Sequence, residues 1–218
     1  MSAEWTLYTR LVAAGARVLV SALGRVTVEG LEDVPSSGPL VIVANHISNL
    51  DPPLVGGWLA RALRRRPRFL AKSALFVGPI GWFLRSNGVI PVKAGGSDVD
   101  AYRVAKAALD GGGVVIIFPE GTRSKDGVLQ EPLPGVALLA TRLGVPILPI
   151  GVSNTDTLLG RGKRLPRFGT RVTMRVGKPF TITPDATLSR RAALTATSDQ
   201  IMRSIATLLD ERHRGRFA

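Results

Sequence analysis

The 218-residue chain contains no cysteine, which excludes a disulfide framework, a thiolate metal site and a cysteine nucleophile. Histidine is almost missing too. His46 and His213 are the only two and lie far apart, so a histidine-based metal site has no sequence support and none is expected. Aromatic residues make up 6%, and they do not interleave with basic residues in the strand pattern of an RNA-binding sheet. Long apolar runs are absent as well. The most lipid-like segment, residues 11–23, has Arg17 in its middle and is bracketed by Arg10 and Arg25. Its uninterrupted pieces fall well short of the ~20 residues a spanning helix needs. No basic stretch precedes it as in a secretory signal.

Acidic residues are also scarce. There are 16 Asp+Glu against 29 Lys+Arg, a formal net charge of +13 and a pI of about 11.4. Such a chain is drawn to polyanions: nucleic acid, an anionic membrane face or a phosphorylated substrate. Charge alone does not choose among them. An apolar content of 45% over this length fits one well-buried domain without a second.

Residues 4–23 place Trp5, Leu7, Tyr8, Leu11, Val12, Val18 and Leu19 among small residues and two arginines. Two readings stand equally on composition: a helix lying in a membrane interface, or a helix packed on the domain's own core. From residue 38 onward, short β-branched runs alternate with helical patterns. Strands are expected at 41–43, 68–71, 88–92, 114–118, 146–150 and 171–176. Helices are expected at 52–63, 80–85, 97–109, 135–143 and 189–212, with Ser97 as an N-cap. This alternation predicts a single α/β domain with a largely parallel or mixed β-sheet flanked by helices. Arg61, Arg64, Arg65, Arg66 and Arg68 form the main charge run, whose default is a solvated surface.

In open α/β sheets, sites lie beyond the carboxyl ends of strands. The stretch NHISNLD at 45–51 follows the strand at 41–43 and holds His46 and Asp51 with four residues between them. A carboxylate folded back onto one imidazole nitrogen fixes the tautomer and leaves the other nitrogen free to take a proton. The plainer reading is a loop histidine and an aspartate that caps the next helix. The stretch FPEGTRS at 118–124 follows the strongest strand. Gly121 permits a close backbone approach, Thr122 and Ser124 carry hydroxyls, Arg123 carries a planar fork suited to phosphate, and Glu120 can orient a donor. The plainer reading here is a surface turn. Lys93 adds a cation after the strand at 88–92.

Taken together and in order, His-x4-Asp at 46–51, GVIPVK at 88–93, FPEGTRS at 118–124 and VPILPI at 145–150 resemble the four motifs of the glycerolipid acyltransferase family. The nearest likeness is to its bacterial 1-acylglycerol-3-phosphate acyltransferases. The resemblance covers residues 45–150 and removes the nucleic-acid reading. It implies that His46 is a general base oriented by Asp51, acting on a free hydroxyl of a lysophospholipid acceptor. The acyl donor is then the thioester of acyl-CoA or an acyl carrier protein, with no metal or other cofactor. It also implies that Lys93, Glu120, Gly121, Thr122, Arg123 and Ser124 bind the acceptor's phosphate. The lipid substrate favours a peripheral enzyme on an anionic membrane surface at the cytoplasmic face. Residues 1–24 would be an amphipathic interface helix and 25–218 the acyltransferase domain. The Arg61–Arg68 cluster would then face either headgroups or the donor.

The sequence departs from the family in three places. Lys93 stands where arginine usually closes the second motif, Lys72-Ser-Ala-Leu75 replaces the usual Lys-x-Glu-Leu, and Pro134-Gly135 occupies the place of a Lys-Gly pair. These changes bear on acceptor and donor preference. The alternatives left open are the same chemistry on glycerol 3-phosphate, another lysophospholipid or a glycolipid, and a non-catalytic anionic-lipid binding protein. A hydrolase is disfavoured because no Gly-x-Ser-x-Gly elbow occurs.

Overall fold

The computed structural model describes residues 6–92, 98–183, 185 and 187–218, the side chains of 98–101 excepted. Trp5, Lys93 and Ser97 therefore lie outside the described residues. The strands are β1 (Gly24–Glu29), β2 (Leu40–Ala44), β3 (Pro67–Lys72), β4 (Ile90–Val92), β5 (Val114–Ile117), β6 (Ile147–Ser153) and β7 (Thr170–Val176). They form one sheet in the order β1-β7-β6-β2-β5-β3-β4. β6, β2, β5, β3 and β4 run parallel, while β1 and β7 run parallel to each other and antiparallel to β6. The sheet is thus mixed, within the expected α/β class.

The helices are α1 (Leu7–Leu23), α2 (Asp51–Leu63), α3 (Gly78–Ser86), α4 (Asp98–Asp110), α5 (Gly135–Leu143), α6 (Thr155–Leu159) and α7 (Arg190–Ala206). The central strand β2 is buried throughout. Its Leu40, Ile42 and Ala44 join Val20 of α1 and Leu54 and Leu59 of α2 in one apolar layer. Its Val41 and Val43 join Ala105, Leu139 and Ile201 of α4, α5 and α7 in the other. Burial on both faces is why this strand reads as a continuous apolar run.

One side of α1 packs on the domain and the other is exposed. Thr9, Ala13 and Val20 are buried, whereas Leu7, Leu11, Val18 and Leu19 are exposed. Its inner face lies tightly on α2. A Cβ on Gly57 would stand 3.2 Å from Arg17 Cγ and 3.3 Å from Ala13 O, so glycine permits the approach, and Arg17 Nη1 donates to Gly57 O at 3.0 Å.

Several boundaries differ from the sequence expectation. β1 escaped notice because it is a short edge strand whose alternate residues, Arg25, Thr27 and Glu29, are exposed. β6 runs on to Ser153, buried along its whole length. The last helix stops at Ala206, six residues before the expected end at 212. There Leu208 and Leu209 donate their amides in tighter three-residue turns, and the Asp210 amide donates to Ser153 Oγ at 3.1 Å. Arg175 and Asn154 both donate to the Asp210 carboxylate, which turns the chain away. The arginine run is not uniformly solvated either. Arg65 donates to the carbonyls of Gly38, Gly112 and Pro35, and Arg66 donates to those of Ser86 and Asn87, the last residue of α3 and its C-cap. Arg61, Arg64 and Arg68 remain exposed.

Candidate active site

Strands β2 and β5 are direct neighbours, so the loops leaving their carboxyl ends meet. These loops carry the two stretches that the sequence singled out. β2 ends its backbone pairing at Ala44, yet Asn45 extends the contact to β6 through its side chain. Asn45 Nδ2 donates to Val152 O at 2.8 Å, and Val152 N donates to Asn45 Oδ1 at 2.7 Å. The buried amide thus substitutes for a strand pair and releases the backbone of 46–50 into a loop.

Four donors converge on Asp51, which is fully buried. Its Oδ2 accepts from the amides of Ile47 and Ser48, both at 2.7 Å, and lies 2.8 Å from His46 Nδ1. Its Oδ1 accepts the Thr155 hydroxyl at 2.5 Å. Because Oδ2 already faces two N–H groups as an acceptor, Nδ1 is the protonated ring nitrogen, and Nε2 carries a lone pair. No hydrogen bond occupies that Nε2 among the described residues. Asp51 is the first residue of α2, and its carboxylate turns back to the preceding loop instead of capping the helix. Ser48 secures the same loop. Its hydroxyl donates to Leu159 O at 2.6 Å and accepts the Leu50 amide at 3.1 Å.

Phe118, just past β5, stacks on the His46 ring with centroids 4.3 Å apart, and Phe69 of β3 follows it at 6.3 Å. This places the imidazole against an apolar wall with its side chain 17% exposed. The next residues tie the two loops together. Glu120 Oε1 accepts the His46 amide at 2.7 Å, and Oε2 accepts the Gln130 amide at 3.0 Å. The Ser124 amide donates to His46 O at 2.7 Å. Burial pushes the Glu120 carboxyl up to about 8, opposed by its two amide bonds and reinforced by Asp51 and Asp126 nearby.

The six residues assigned to the acceptor's phosphate therefore separate. Glu120 faces inward onto two amides, and Ser124 is buried with its hydroxyl donating to Asp126 Oδ1 at 2.8 Å. Gly121 and Thr122 are exposed on the loop and Arg123 is half-buried, its guanidinium making no hydrogen bond among the described residues. Gly121 takes a positive φ of 64°, and its amide donates to Phe118 O at 3.0 Å. A side chain there would be strained and would meet Leu133. Lys93 lies outside the described residues. Among the described residues, no group of three or more His, Asp or Glu is placed to hold a metal ion.

Sequence reasoning missed Asn45, Thr155, Gln130 and Phe69. Asn45 and Phe118 sit inside the quoted stretches and were open to notice. Thr155 lies 104 residues from Asp51, and no local pattern marks it.

Residues 25–153 match the family described as Acyltransferase. A chloroplastic 1-acyl-sn-glycerol-3-phosphate acyltransferase of Arabidopsis thaliana is 37% identical over 155 residues, which is 69% of this chain and 40% of that protein. The Brassica napus chloroplastic relative is equally similar, and the match covers 42% of it. The chain thus spans about two fifths of the length of these relatives. A Bacillus subtilis 1-acyl-sn-glycerol-3-phosphate acyltransferase is 27% identical over 207 residues, covering 93% of this chain and 98% of that one. Among solved structures, a 1-acyl-sn-glycerophosphate acyltransferase from Thermotoga maritima superposes with a TM-score of 0.72 at 26% identity. The match covers 92% of this chain and 79% of that one.

Proposed function

This chain belongs to the acyltransferase family, and on that premise we propose that it moves a fatty acyl group from a thioester donor to 1-acylglycerol 3-phosphate, giving phosphatidate. The observation that carries the reading is the His46–Asp51 pair at 2.8 Å, with Nδ1 held by the buried carboxylate and Nε2 without a hydrogen bond among the described residues. Nε2 takes the proton from the acceptor's free hydroxyl as its oxygen attacks the thioester carbonyl. The C–O bond forms, the tetrahedral intermediate collapses, and the C–S bond breaks. The imidazolium then returns its proton to the departing thiolate of coenzyme A or an acyl carrier protein. Asp51 orients the ring and stabilises its charged form. No covalent acyl-enzyme is needed, which fits a chain without cysteine.

Arg123 and Lys93, with the Thr122 hydroxyl and the Gly121 amide, are the acceptor-phosphate ligands in this reading. Glu120 and Ser124 act through the loop that presents them. The enzyme works as a peripheral protein on the cytoplasmic face of an anionic membrane, with α1 at the interface. No helix among the described residues is long and apolar enough to cross a membrane.

The test is release of free thiol from palmitoyl-CoA, with lysophosphatidate in detergent micelles, for the wild type and His46→Ala. The protein contributes no thiol of its own. Acceptor-dependent release that disappears in the variant supports the reaction and the base. Near-normal turnover without His46 removes the base assignment. Silence of both proteins, with acyl-CoA and with acyl carrier protein, removes the proposed acceptor.

A further inference from the structure

No motif singled out in the sequence falls on α3, yet its outer surface is apolar. Ile80 is 65% exposed, Trp82 69% and Phe83 47%, with Val77 beside them at 70%. These large side chains lie within seven consecutive residues, from the N-cap Val77 into a helix whose other face is secured. Arg66 holds the carbonyls of Ser86 and Asn87, Arg85 donates to Phe76 O at 2.8 Å, and Gly81 lies against the Phe76 backbone. A Cβ at Gly81 would fall 2.3 Å from the Phe76 carbonyl carbon, so the helix is seated by design of its sequence and not loosely attached. The exposed face is what remains.

That face continues onto α1. The Tyr8 hydroxyl lies 3.0 Å from Ser86 Oγ and accepts from Asn87 Nδ2 at 3.1 Å, which joins the first turn of α1 to the end of α3. Leu7 and Leu11, next to Tyr8 and one turn after it on α1, are exposed, and so is Phe83, one turn before the end of α3. The two stretches that build it carry charge of one sign. No acidic residue occurs between Glu4 and Glu29, nor between Asp51 and Asp98. These two stretches supply α1 and α3, and the second also brings Arg61, Arg64, Arg68, Lys72 and Arg85. Apolar side chains with a Trp and a Tyr, carried on two basic stretches that contain no acidic residue, match a bilayer interface that carries anionic headgroups.

We propose that α3, joined to α1 through Tyr8, is a docking surface for an anionic lipid bilayer. Trp82, Ile80 and Phe83 enter the acyl boundary while the neighbouring arginines meet the headgroups. The choice of a bilayer over another apolar partner rests on the lysolipid-acceptor reading above. The docking element it names is inside the catalytic domain, so membrane engagement would not depend on α1 alone.

The test is flotation of the whole protein with vesicles of phosphatidylcholine and phosphatidylglycerol, without substrate, so lipid binding is read independently of turnover. Wild type is expected to float with these vesicles and much less with pure phosphatidylcholine. A variant combining Ile80→Ser, Trp82→Ser and Phe83→Ser, with α1 intact, is expected to bind tenfold or more weakly. Circular dichroism checks its fold. A second measurement needs only a conservative change. Bromination of the acyl chains should quench a fluorescence component present in wild type and lost in Trp82→Phe. Unchanged flotation of the triple variant, or no quenching of Trp82, overturns the proposal. So does a wild-type dimer that the triple variant splits without any loss of vesicle binding, because a second copy is then the occupant. A protein that floats through α3 but transfers no acyl group leaves this inference standing and sinks the acyltransferase reading instead.

Discussion

Thr155 donates its hydroxyl to Asp51 Oδ1 at 2.5 Å across 104 residues of sequence, inside a site where both side chains are fully buried. It is the fourth donor on a carboxylate whose other oxygen holds two amides and His46. The hydroxyl fixes the plane of the carboxylate, and the carboxylate fixes the ring. Thr155→Val keeps the shape and removes the donor. A hydrogen bond to a charged group contributes about 1.5–3 kcal/mol, so turnover should fall roughly tenfold or more with little change in KM. Thr155→Ser should restore most of it. Steady-state kinetics of the three proteins checks this, and an unchanged kcat in Thr155→Val would deny Thr155 any part in positioning.

Glu120 makes stability depend on pH in a particular direction. Its carboxyl titrates near 8 in the folded chain against an ordinary 4.5, with burial as the main cause. The folded state therefore holds this proton more tightly than the unfolded state. Its contribution is complete below about 4.5 and is lost as pH rises through about 8. Within that window the slope is at most about 1.4 kcal/mol per pH unit. Urea titrations at pH 5, 6.5 and 8 should show wild-type stability declining. Glu120→Gln should be less stable at pH 5, because its amide NH2 faces a backbone N–H, but should lose the pH slope. Parallel slopes in the two proteins would contradict the assignment.

Arg123 should affect the acceptor and not the proton transfer. Its guanidinium makes no hydrogen bond among the described residues, and its loop is pinned by Ser124 and Glu120 from below. Arg123→Ala should raise KM for lysophosphatidate roughly tenfold, with kcat within a factor of about two, since a charge-assisted fork is lost. Arg123→Lys should fall between, as a point charge replaces a bidentate donor. A panel that includes an unphosphorylated acceptor decides the point. Equal KM shifts for both acceptors would remove the phosphate role.

His213, the other histidine, supports the site from the far end of the chain. It is fully buried, its Nδ1 lies 2.5 Å from Gly127 O, and its Nε2 accepts the Asn154 amide at 3.2 Å. Since Nε2 is the acceptor, Nδ1 carries the proton. The ring thus joins the loop after Ser124 to the residue preceding Thr155. His213→Ala leaves a carbonyl and an amide unpaired and should cost about 2–4 kcal/mol in urea unfolding. Hydrogen exchange at Val128 and Asn154 should accelerate. Stability within about 0.5 kcal/mol of wild type would mean that the C-terminal turn is not a support.

Much of the fold was legible because its signals are local. Six of the seven strands, β2 to β7, read as short apolar or alternating runs, and both loop stretches follow directly from strand ends. His46 and Asp51 are close enough in sequence for one tight loop to bring them together. Spacing alone left a loop histidine and a capping aspartate open as well, and the motifs further along the chain favoured the pair. The mixed direction of the sheet was less accessible. β1 has an exposed alternating pattern, and its parallel pairing to β7 spans most of the chain.

Local chemistry in the sequence determined where most strands lie, which loops carry reactive side chains and that one histidine stands within reach of one aspartate. Only the tertiary structure decided what surrounds that pair. The adjacency of β2 and β5, with β3 and β4 placed beyond, sets the loops of His46 and Glu120 together. The same packing turns Glu120 inward and leaves Arg123 near the surface, although the two are three residues apart. It also brings Thr155 to Asp51 and commits Arg65 and Arg66 to carbonyls within a run that reads as uniformly solvated. The physical reason is the same in each case. A buried polar group must find a partner wherever the sheet order puts one, and that order is a property of the whole chain.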